Sequence, residues 1–393
     1  MSQPANVVVV GAGLAGLRTI EELRGREFAG QITLIGAEPR LPYDRPPLSK
    51  KLMIGALDDT SLRPHLDELQ VHVRLAEAAT GLHDGILTTD AGEYAYDALV
   101  LATGASPVTL PGDGPQHVLR TIDDALTLRK LLAPGLRLAI IGAGWIGAEL
   151  ATAAASLGCG VTVLEAGPAP VAAAITAQVG GLTARWYADA GVDLRLGQGV
   201  AEVQAGGLAL ADGGWLDADV VVTAVGVRPA VSWLAGSGIE LDNGIAVDGQ
   251  LRTSVPGVYA AGDCAAFQSA RYGRRLRFEH WDVALHAPEV VAENVLGGSA
   301  VYDPVPYFWS EQFGRMVQYV GYHGGADQLI WRGDPAADRW AVAWLAAGRL
   351  VALLTVGLPR DLLQGRRVIS SGARVDPARL ADPANAVRDT VLR

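Results

Sequence analysis

The pattern of apolar and polar positions predicts alternating strands and helices over the first three quarters of the chain. Two short runs, VVVV at residues 7–10 and LAII at residues 138–141, contain only aliphatic residues, as is typical of strands buried on both faces. Each run precedes a stretch rich in alanine and leucine that predicts a helix. From about residue 305 apolar and polar residues alternate, which indicates an antiparallel sheet.

Further helices are expected between these strands. The predicted ranges are 61–69, 121–132, 176–190 and 282–296, and the helix over 121–132 is expected to be amphipathic. The segment LPYDRPPLSK at residues 41–50 is rich in proline and predicts a fixed, irregular loop.

A glycine motif follows both aliphatic strands. The first glycine allows a tight turn, the second lets the backbone approach a pyrophosphate, and the third lets the helix pack closely on the strand. The free N–H groups of the following helix then face the phosphates. The glycines are Gly11, Gly13 and Gly16 in GAGLAG, and Gly142, Gly144 and Gly147 in GAGWIG. Two ordinary strand-to-helix turns remain the alternative.

An acidic residue lies at the end of the next strand in both cases. Glu38 and Glu165 are candidates to hold a ribose 2′-OH. Two dinucleotides on one chain are typical of an enzyme that passes electrons between bound cofactors. Because a 2′-phosphate would be repelled by Glu165, and AGPAPVAAA after it has no basic residue, NADH is favoured over NADPH.

Composition and charge narrow the class of protein. A chain of 393 residues predicts two or three domains. The two cysteines, Cys159 and Cys264, form no CxxC, and the net charge is −10, which argues against nucleic-acid binding. No run is long enough to span a membrane, and the first residues lack the basic region of a signal peptide. We expect a cytoplasmic protein without a metal site.

Eight segments of the sequence match one known pattern. They are GAGLAG at 11–16, PYDRPPLSK at 42–50, LATG at 101–104, GAGWIGAELA at 142–151, VGVRP at 225–229, GDCA at 262–265, EHW at 279–281 and VPYFWSEQ at 305–312. In this order they resemble the FAD-dependent pyridine-nucleotide oxidoreductases. More narrowly, the chain is similar to the ferredoxin and rubredoxin reductases of the putidaredoxin reductase type.

The resemblance implies an α/β fold of three domains. Two Rossmann-like dinucleotide-binding domains are expected, with the NAD domain inserted in the FAD domain, followed by a C-terminal α+β domain with an antiparallel sheet. The predicted boundaries are 1–108 with 239–304 for FAD, 109–238 for NAD(H) and 305–393 for the C-terminal domain that faces the redox partner.

The resemblance also implies the roles of single residues. The first glycine motif takes the FAD pyrophosphate, and the second takes NADH. Further cofactor contacts are expected from Arg45, Lys50, Thr103, Gly104, Gly226, Gly262, Asp263, Trp281 and Trp309.

Three of the residues implied by the resemblance are candidates for a catalytic role. Lys50 is expected beside flavin N5, Glu149 facing the nicotinamide, and Trp309 near either ring. From the residues alone, the alternatives are a solvated lysine, a solvent-facing glutamate and a core tryptophan.

The same resemblance implies a function. NADH would reduce FAD, and FAD would reduce a small iron–sulfur carrier, a [2Fe-2S] or related ferredoxin that feeds a bacterial oxygenase. The proline-rich loop has no cysteine, so no thiol relay is expected. The alternatives are an NADH oxidase or quinone-type reductase, and a flavin-binding interaction protein like apoptosis-inducing factor. A nucleotide-binding regulator without flavin is a third.

Two further expectations concern the partner and one departure from the pattern. The ferredoxin is expected to dock near a basic segment that contains Arg271, Arg274, Arg275 and Arg277, with a solvated hairpin as the alternative. The protein is expected to be a monomer or homodimer. Ala287 and Pro288 replace a Gln–Gly pair that related sequences carry after EHW.

Overall fold

The computed structural model describes residues 3–62 and 65–392, and the chain folds into two compact units. The first unit contains Met1–Asp44, Thr60–Ser106 and Val227–Pro304. The second contains Arg45–Asp59, Pro107–Gly226 and Val305–Arg393. The second unit therefore holds residues of both the predicted NAD domain and the predicted C-terminal domain. The three-domain boundaries stay a prediction.

A five-stranded parallel sheet forms the centre of the first unit. Its strands are, in spatial order, Val258–Ala260, Ala98–Leu101, Asn6–Val10, Gln31–Gly36 and Val71–Leu75. The central strand is buried on both faces, which explains its unbroken valine run. The helices Leu14–Gly25 and Trp281–Val295 pack against each other.

Short antiparallel strands complete the first unit. One group of three is Ala79–His83, Ile86–Thr89 and Glu93–Ala95. A second, mixed group is Ile245–Val247, Ala265–Ser269 and Arg274–Leu276. The short strands Ala105–Pro107 and Val227–Pro229 lie at the points where the chain passes between the two units.

A second parallel sheet lies in the second unit. In spatial order its strands are Asp193–Leu196, Gly160–Glu165, Arg137–Ile141 and Val220–Thr223. An antiparallel group, Val200–Gln204, Gly207–Leu210 and Trp215–Asp217, accompanies it. Its helices are Ile122–Leu131, Trp145–Ser156, Ala172–Ile175, Ala177–Gly180 and Ala184–Asp189.

The C-terminal part of the second unit is a five-stranded antiparallel sheet. Its strands are Tyr307–Gln312, Arg315–Gly321, Arg349–Val356, Trp340–Ala346 and Gln328–Arg332, in spatial order. One face packs on the helices Pro359–Ser371 and Pro377–Ala381. The other face packs on Ile175, Val179 and Trp186 of the nucleotide-binding part, within the same core.

The predicted fold class is confirmed by these sheets, and most predicted helices exist. Thr121 and Asp124 form a capping box that starts the helix Ile122–Leu131. The helix expected over 61–69 is wrong for the described part of that range, where the chain forms turns over 66–70; residues 63 and 64 lie outside the described residues. The helix expected over 176–190 is broken into three pieces, because adjacent glycines weaken it at residues 180 and 181.

Candidate functional site

The first glycine motif forms an open turn in the first unit. Gly11 has φ of 118°, and a Cβ there would lie 2.1 Å from the carbonyl oxygen of Ala102. A Cβ on Gly16 would lie 2.0 Å from the Gly11 oxygen, so the helix can pack this closely only with glycine. Gly13 meets nothing within 4 Å and begins the helix Leu14–Gly25 without a side-chain cap. The N–H groups of this helix end are therefore available to a ligand.

The second glycine motif repeats this geometry in the second unit. Gly142 has φ of 102° and lies under the oxygen of Ala224, where a Cβ would be 2.5 Å away. A Cβ on Gly147 would lie 2.0 Å from the Gly142 oxygen. Gly144 faces open space and begins the helix Trp145–Ser156, again without a side-chain cap. Both turns fit a pyrophosphate. A Cβ at the first or third glycine would clash with a backbone oxygen, whereas a Cβ at the middle glycine would have no neighbour within 4 Å.

The two predicted ribose-binding acids lie after their strands but have different surroundings. Tyr43 donates a 2.5 Å hydrogen bond to Glu38 Oε2. Glu165 is held by the backbone, since Ala143 N donates to Oε2 at 2.8 Å and Gly167 N donates to Oε1 at 2.7 Å. The second acid is thereby fixed directly beside the second glycine motif.

The GDCA and LATG segments lie beside the first glycine motif. A Cβ on Gly262, whose φ is 76°, would lie 3.0 Å from the Cβ of Ala15 in the first helix. Asp263 is in a 3₁₀ turn, Gly262–Cys264, and its carbonyl oxygen accepts a hydrogen bond from Arg277. Thr103 and Gly104 follow the buried strand Ala98–Leu101, and Gly104 has φ of 72°.

The Cys264 thiol is buried and burial raises its pKa, so it is not a reactive thiol. It thus has the character of a small core residue. Cys159, the other cysteine, is also free, and burial raises the pKa of its thiol.

Trp281 begins a helix and is anchored by a residue that the sequence did not single out. Its Nε1 donates a 2.8 Å hydrogen bond to Asp44 Oδ1. His280, immediately before the helix, stacks on Phe278, and desolvation lowers the pKa of its imidazole to about 4, although Asp263 acts in the opposite sense. This imidazole is therefore neutral near pH 7.

Ala287 and Pro288, which replace the Gln–Gly pair of related sequences, lie inside the helix Trp281–Val295. Both residues are buried, and Ala287 is only 1 % exposed. Proline has no N–H to donate to the carbonyl oxygen of Ala284, so the helix loses one internal hydrogen bond there.

A buried polar cluster surrounds Glu149 in the second unit. Lys50 Nζ and Ser49 Oγ each donate a 2.5 Å hydrogen bond to Glu149 Oε2, and Ser310 Oγ donates a 2.6 Å hydrogen bond to Oε1. The Glu149 side chain is 4 % exposed and that of Lys50 16 %. Glu149 is therefore not a solvent-facing glutamate, and Lys50 is not a solvated lysine.

Three other predicted residues of the second unit lie at the start of the proline-rich turn, after the strand Val220–Thr223 and in the C-terminal sheet. Arg45 donates to the carbonyl oxygen of Arg120 at 2.7 Å, just before the 3₁₀ turn Pro46–Ser49. Gly226 has φ of 107° and faces open space. Trp309 stacks on Tyr307 at 5.9 Å between ring centroids. Because side chains alternate along a strand, Trp309 is on the face opposite to that of Ser310.

Sequence reasoning missed Ser49, Ser310 and Gln312. The usable signal was the alternation in YFWSEQ, where Phe308, Ser310 and Gln312 are the buried positions. Buried polar side chains need partners, so a serine and a glutamine on the buried face indicate a polar cluster there.

Two of the four proposed docking arginines pair with acidic side chains of their own unit. Arg275 Nη1 lies 3.1 Å from Glu240 and 3.0 Å from Asp242. Arg277 pairs with Glu279 at 2.6 Å. The positive charge of this segment is therefore partly compensated.

Two observations concern membranes and metals. None of the helices in the ranges 3–62 and 65–392 has the length and apolar character needed to cross a membrane. In that same part of the chain, no group of three or more His, Cys, Asp or Glu side chains is arranged to hold a metal ion.

Comparison with known proteins gives consistent matches over the whole chain. The ferredoxin--NAD(+) reductase component of the anthranilate 1,2-dioxygenase system from Burkholderia cepacia is 37 % identical over 394 residues, which is 96 % of this chain and 97 % of that protein. The crystal structure of Fdr9 has a TM-score of 0.94 and 50 % identity, covering 98 % of this chain and 99 % of that one. The covalent complex of putidaredoxin reductase with putidaredoxin has a TM-score of 0.93 and 30 % identity, covering 98 % of both chains.

Two family models account for nearly all of the sequence. Residues 5–287 match the pyridine nucleotide-disulphide oxidoreductase family, and residues 307–391 match the reductase C-terminal family. The chain therefore belongs to the pyridine nucleotide-disulphide oxidoreductases and ends in a reductase C-terminal domain.

Proposed function

We propose that this protein is an NADH-dependent flavoprotein reductase that passes electrons from NADH through FAD to a small iron–sulfur ferredoxin of a bacterial oxygenase system. The observation that carries the proposal is the repeated open glycine turn, once in each parallel sheet, with a helix N-terminus uncapped by any side chain. The relatives named as ferredoxin reductase components of dioxygenase systems support the choice of acceptor.

The residues of the first unit fit FAD. Gly11, Gly13 and Gly16 would receive its pyrophosphate, with Glu38 at a ribose and Asp263 near the sugar-like chain and phosphates. Thr103, Gly104, Gly262 and Trp281 would line the remaining contacts. In the second unit, Gly142, Gly144 and Gly147 would receive the pyrophosphate of NADH, with Glu165 and Gly226 beside it.

FAD, when bound, supplies an acceptor for a hydride equivalent and a donor of single electrons. Lys50 would place a positive charge at the flavin. Glu149 would hold the ammonium of Lys50 in position and would itself face the nicotinamide. Arg45 and Trp309 are proposed as further cofactor contacts. Each task is positioning or electrostatics, and no side chain needs to act as a general base.

The cysteines support direct transfer to a one-electron carrier. The chain has only Cys159 and Cys264, both are free thiols, and they form no CxxC or CxxxxC pair in the sequence. A dithiol relay would need two thiols within disulfide distance. Electrons are therefore proposed to pass to the ferredoxin without a thiol intermediate.

The arginine segment remains the proposed docking place for a [2Fe-2S] or related ferredoxin. Arg275 and Arg277 also pair with carboxylates, so the ferredoxin would be steered by the summed charge of all four arginines of the segment. Arg274→Glu is expected to raise KM for the ferredoxin several-fold at low salt. Arg195→Glu is the matched change of net charge elsewhere; if both variants behave alike, the docking place is wrong.

A cytoplasmic monomer or homodimer is part of the same proposal. The decisive experiment uses the purified holoprotein under nitrogen. We expect a yellow protein that NADH bleaches and that then reduces added ferredoxin. Oxygen consumption without a carrier would favour an NADH oxidase, very slow turnover with every carrier an interaction protein, and a colourless protein a regulator without flavin.

A further inference from the structure

The Glu149 carboxylate is held by three donors that come from two distant parts of the chain. Ser49 and Lys50 donate to Oε2 from the proline-rich loop. Ser310 donates to Oε1 from the C-terminal sheet, 161 residues away in sequence. A carboxylate that is only 4 % exposed is costly to bury unless its oxygens accept hydrogen bonds. The donors from the loop and the donor from the sheet therefore both stabilise Glu149.

The hydrogen bond from Ser310 has a fixed direction. A serine hydroxyl has a single proton, and an ionised carboxylate can only accept, so that proton must point to Glu149. Gln312 Nε2 donates to Ser310 Oγ at 3.1 Å, which fills a lone pair and leaves the proton free for Glu149. Ser310 and Gln312 are both fully buried, and no competing solvent reaches them.

Lys50 is committed to the same cluster with all three of its protons. Its Nζ lies 2.5 Å from Glu149 Oε2, 3.1 Å from the Pro46 oxygen and 3.4 Å from Ser49 Oγ. The chain has only three lysines, Lys50, Lys51 and Lys130, among 32 basic residues. A compact ammonium suits three acceptors in different directions, which a planar guanidinium does not.

We propose that Ser310, supported by Gln312, is a positioning residue that fixes Glu149 and, through it, the ammonium of Lys50. The C-terminal domain then takes part in the reaction with NADH and not solely in contact with the electron acceptor. This inference rests on the proposed function, in which Lys50 and Glu149 act on the flavin and the nicotinamide.

The first test needs neither NADH nor turnover. Limited acetylation of the holoprotein, followed by mass spectrometry, reports how strongly each lysine amine is held. Lys51 and Lys130 are exposed and serve as internal references. Lys50 is expected to react far more slowly than either in the wild type, and several-fold faster in Ser310→Ala, because a carboxylate with one free oxygen no longer holds the ammonium firmly.

The second test separates positioning from general stability. In anaerobic stopped-flow reduction, Ser310→Ala is expected to lower the limiting rate about tenfold, the effect of losing roughly one hydrogen bond to a charged group. The NADH concentration for half the limiting rate should change little. Ser310→Thr keeps the hydroxyl on a β-branched residue suited to a strand and should restore most of the rate.

The matched control is Thr355→Val in the same sheet. Thr355 is fully buried and its hydroxyl has no hydrogen-bond partner within the described structure. This variant should leave both lysine labelling and flavin reduction at wild-type values. Gln312→Met is the second variant, expected to act like a milder Ser310→Ala, and it replaces Ser310→Ala if that protein fails to fold.

The outcomes distinguish the two proposals. If Lys50→Met and Glu149→Gln slow reduction while Ser310→Ala and Gln312→Met match the wild type, positioning by Ser310 is overturned and the proposed function stands. If NADH does not bleach the wild type, the proposed function fails, while unchanged Lys50 labelling in Ser310→Ala would separately overturn the positioning role.

Discussion

Lys50 Nζ and Glu149 Oε2 lie 2.5 Å apart, and the two side chains retain only 16 % and 4 % of their exposure. A buried ion pair of this kind is weak support for stability when intact, but removal of one partner leaves the other charge unpaired. Because two serines also bond the carboxylate, Glu149 is the centre of the cluster and Lys50 its main countercharge.

Removal of Lys50 alone should destabilise the protein more than removal of both charges. We expect Lys50→Met to lower the free energy of unfolding by roughly 3–5 kcal/mol, since it leaves a buried carboxylate without a cation. The double variant Lys50→Met/Glu149→Gln should recover most of this loss, whereas flavin reduction by NADH stays slow. Urea unfolding of the holoproteins measures the stability and anaerobic stopped-flow measures flavin reduction, with the exposed Lys51→Met as control. Equal midpoints for Lys50→Met and Lys51→Met would contradict the prediction.

His280 should make stability depend on pH between about 6.5 and 4. Its pKa is lowered to about 4 in the folded protein, so below pH 6.5 the unfolded chain binds a proton that the folded protein does not. Stability from this residue is therefore complete above pH 6.5 and decreases as the pH falls toward 4. Since the ring keeps some contact with solvent, we expect the free energy of unfolding to fall by about 1–2 kcal/mol over this pH range.

The measurement for His280 compares unfolding midpoints at pH 7.5 and 5. His280→Phe keeps a ring that can stack on Phe278 and should show a smaller loss on acidification than the wild type. His65→Gln changes an exposed histidine and should behave as the wild type does. An unaltered pH dependence in His280→Phe would show that other groups cause the acid sensitivity.

The parts of the fold that depend on local sequence were predictable. Gly11 and Gly142 stand where a Cβ would meet a neighbouring carbonyl oxygen, and this requirement is visible in the sequence as the spacing of the two motifs. The antiparallel sheet was predictable for the same reason, since alternation reports which side chains are buried. The function followed from the motifs only together with the resemblance.

The parts that depend on contacts between distant residues were not predictable. Ser310 meets Glu149 across 161 residues, and Arg275 meets Glu240 and Asp242 across 35 and 33. A basic run therefore looked free in sequence although much of its charge is paired. Likewise, alternation along the strand puts Trp309 and Ser310 on opposite faces, but the sequence could not show which distant residues surround each of them.

Arg332 should be essential for holding the C-terminal segment. Its guanidinium is 2 % exposed, pairs with Asp361 at 2.8 Å and donates to four carbonyl oxygens, those of Leu380, Asp382, Pro383 and Asn385. Arg332→Met leaves these acceptors unbonded and is expected to cost roughly 3–5 kcal/mol. Arg332→Lys keeps the charge but cannot reach all five acceptors, so its stability should lie between those of the wild type and Arg332→Met.

Limited proteolysis and urea unfolding measure the effect at Arg332. Early cleavage within residues 376–392 is expected in Arg332→Met and not in the wild type. Arg339→Met removes an exposed arginine that donates to the carbonyl oxygen of Gly357, and serves as the control. Wild-type resistance of Arg332→Met to protease would refute the anchoring role.

Glu165 should set the preference for NADH over NADPH. Two backbone N–H groups, of Ala143 and Gly167, fix its carboxylate at the end of the strand Gly160–Glu165, where a 2′-phosphate would bring further negative charge. We expect kcat/KM for NADH to exceed that for NADPH at least about tenfold, which corresponds to roughly 1.4 kcal/mol. Glu165→Ala should lower the ratio of kcat/KM for NADH to that for NADPH, because NADH loses a ribose contact and NADPH is no longer repelled. Glu202→Ala, at an exposed position, should leave this ratio unchanged. Equal or higher kcat/KM with NADPH in the wild type would overturn the assignment of Glu165, because a fixed carboxylate beside the ribose would then oppose the nucleotide that the enzyme prefers.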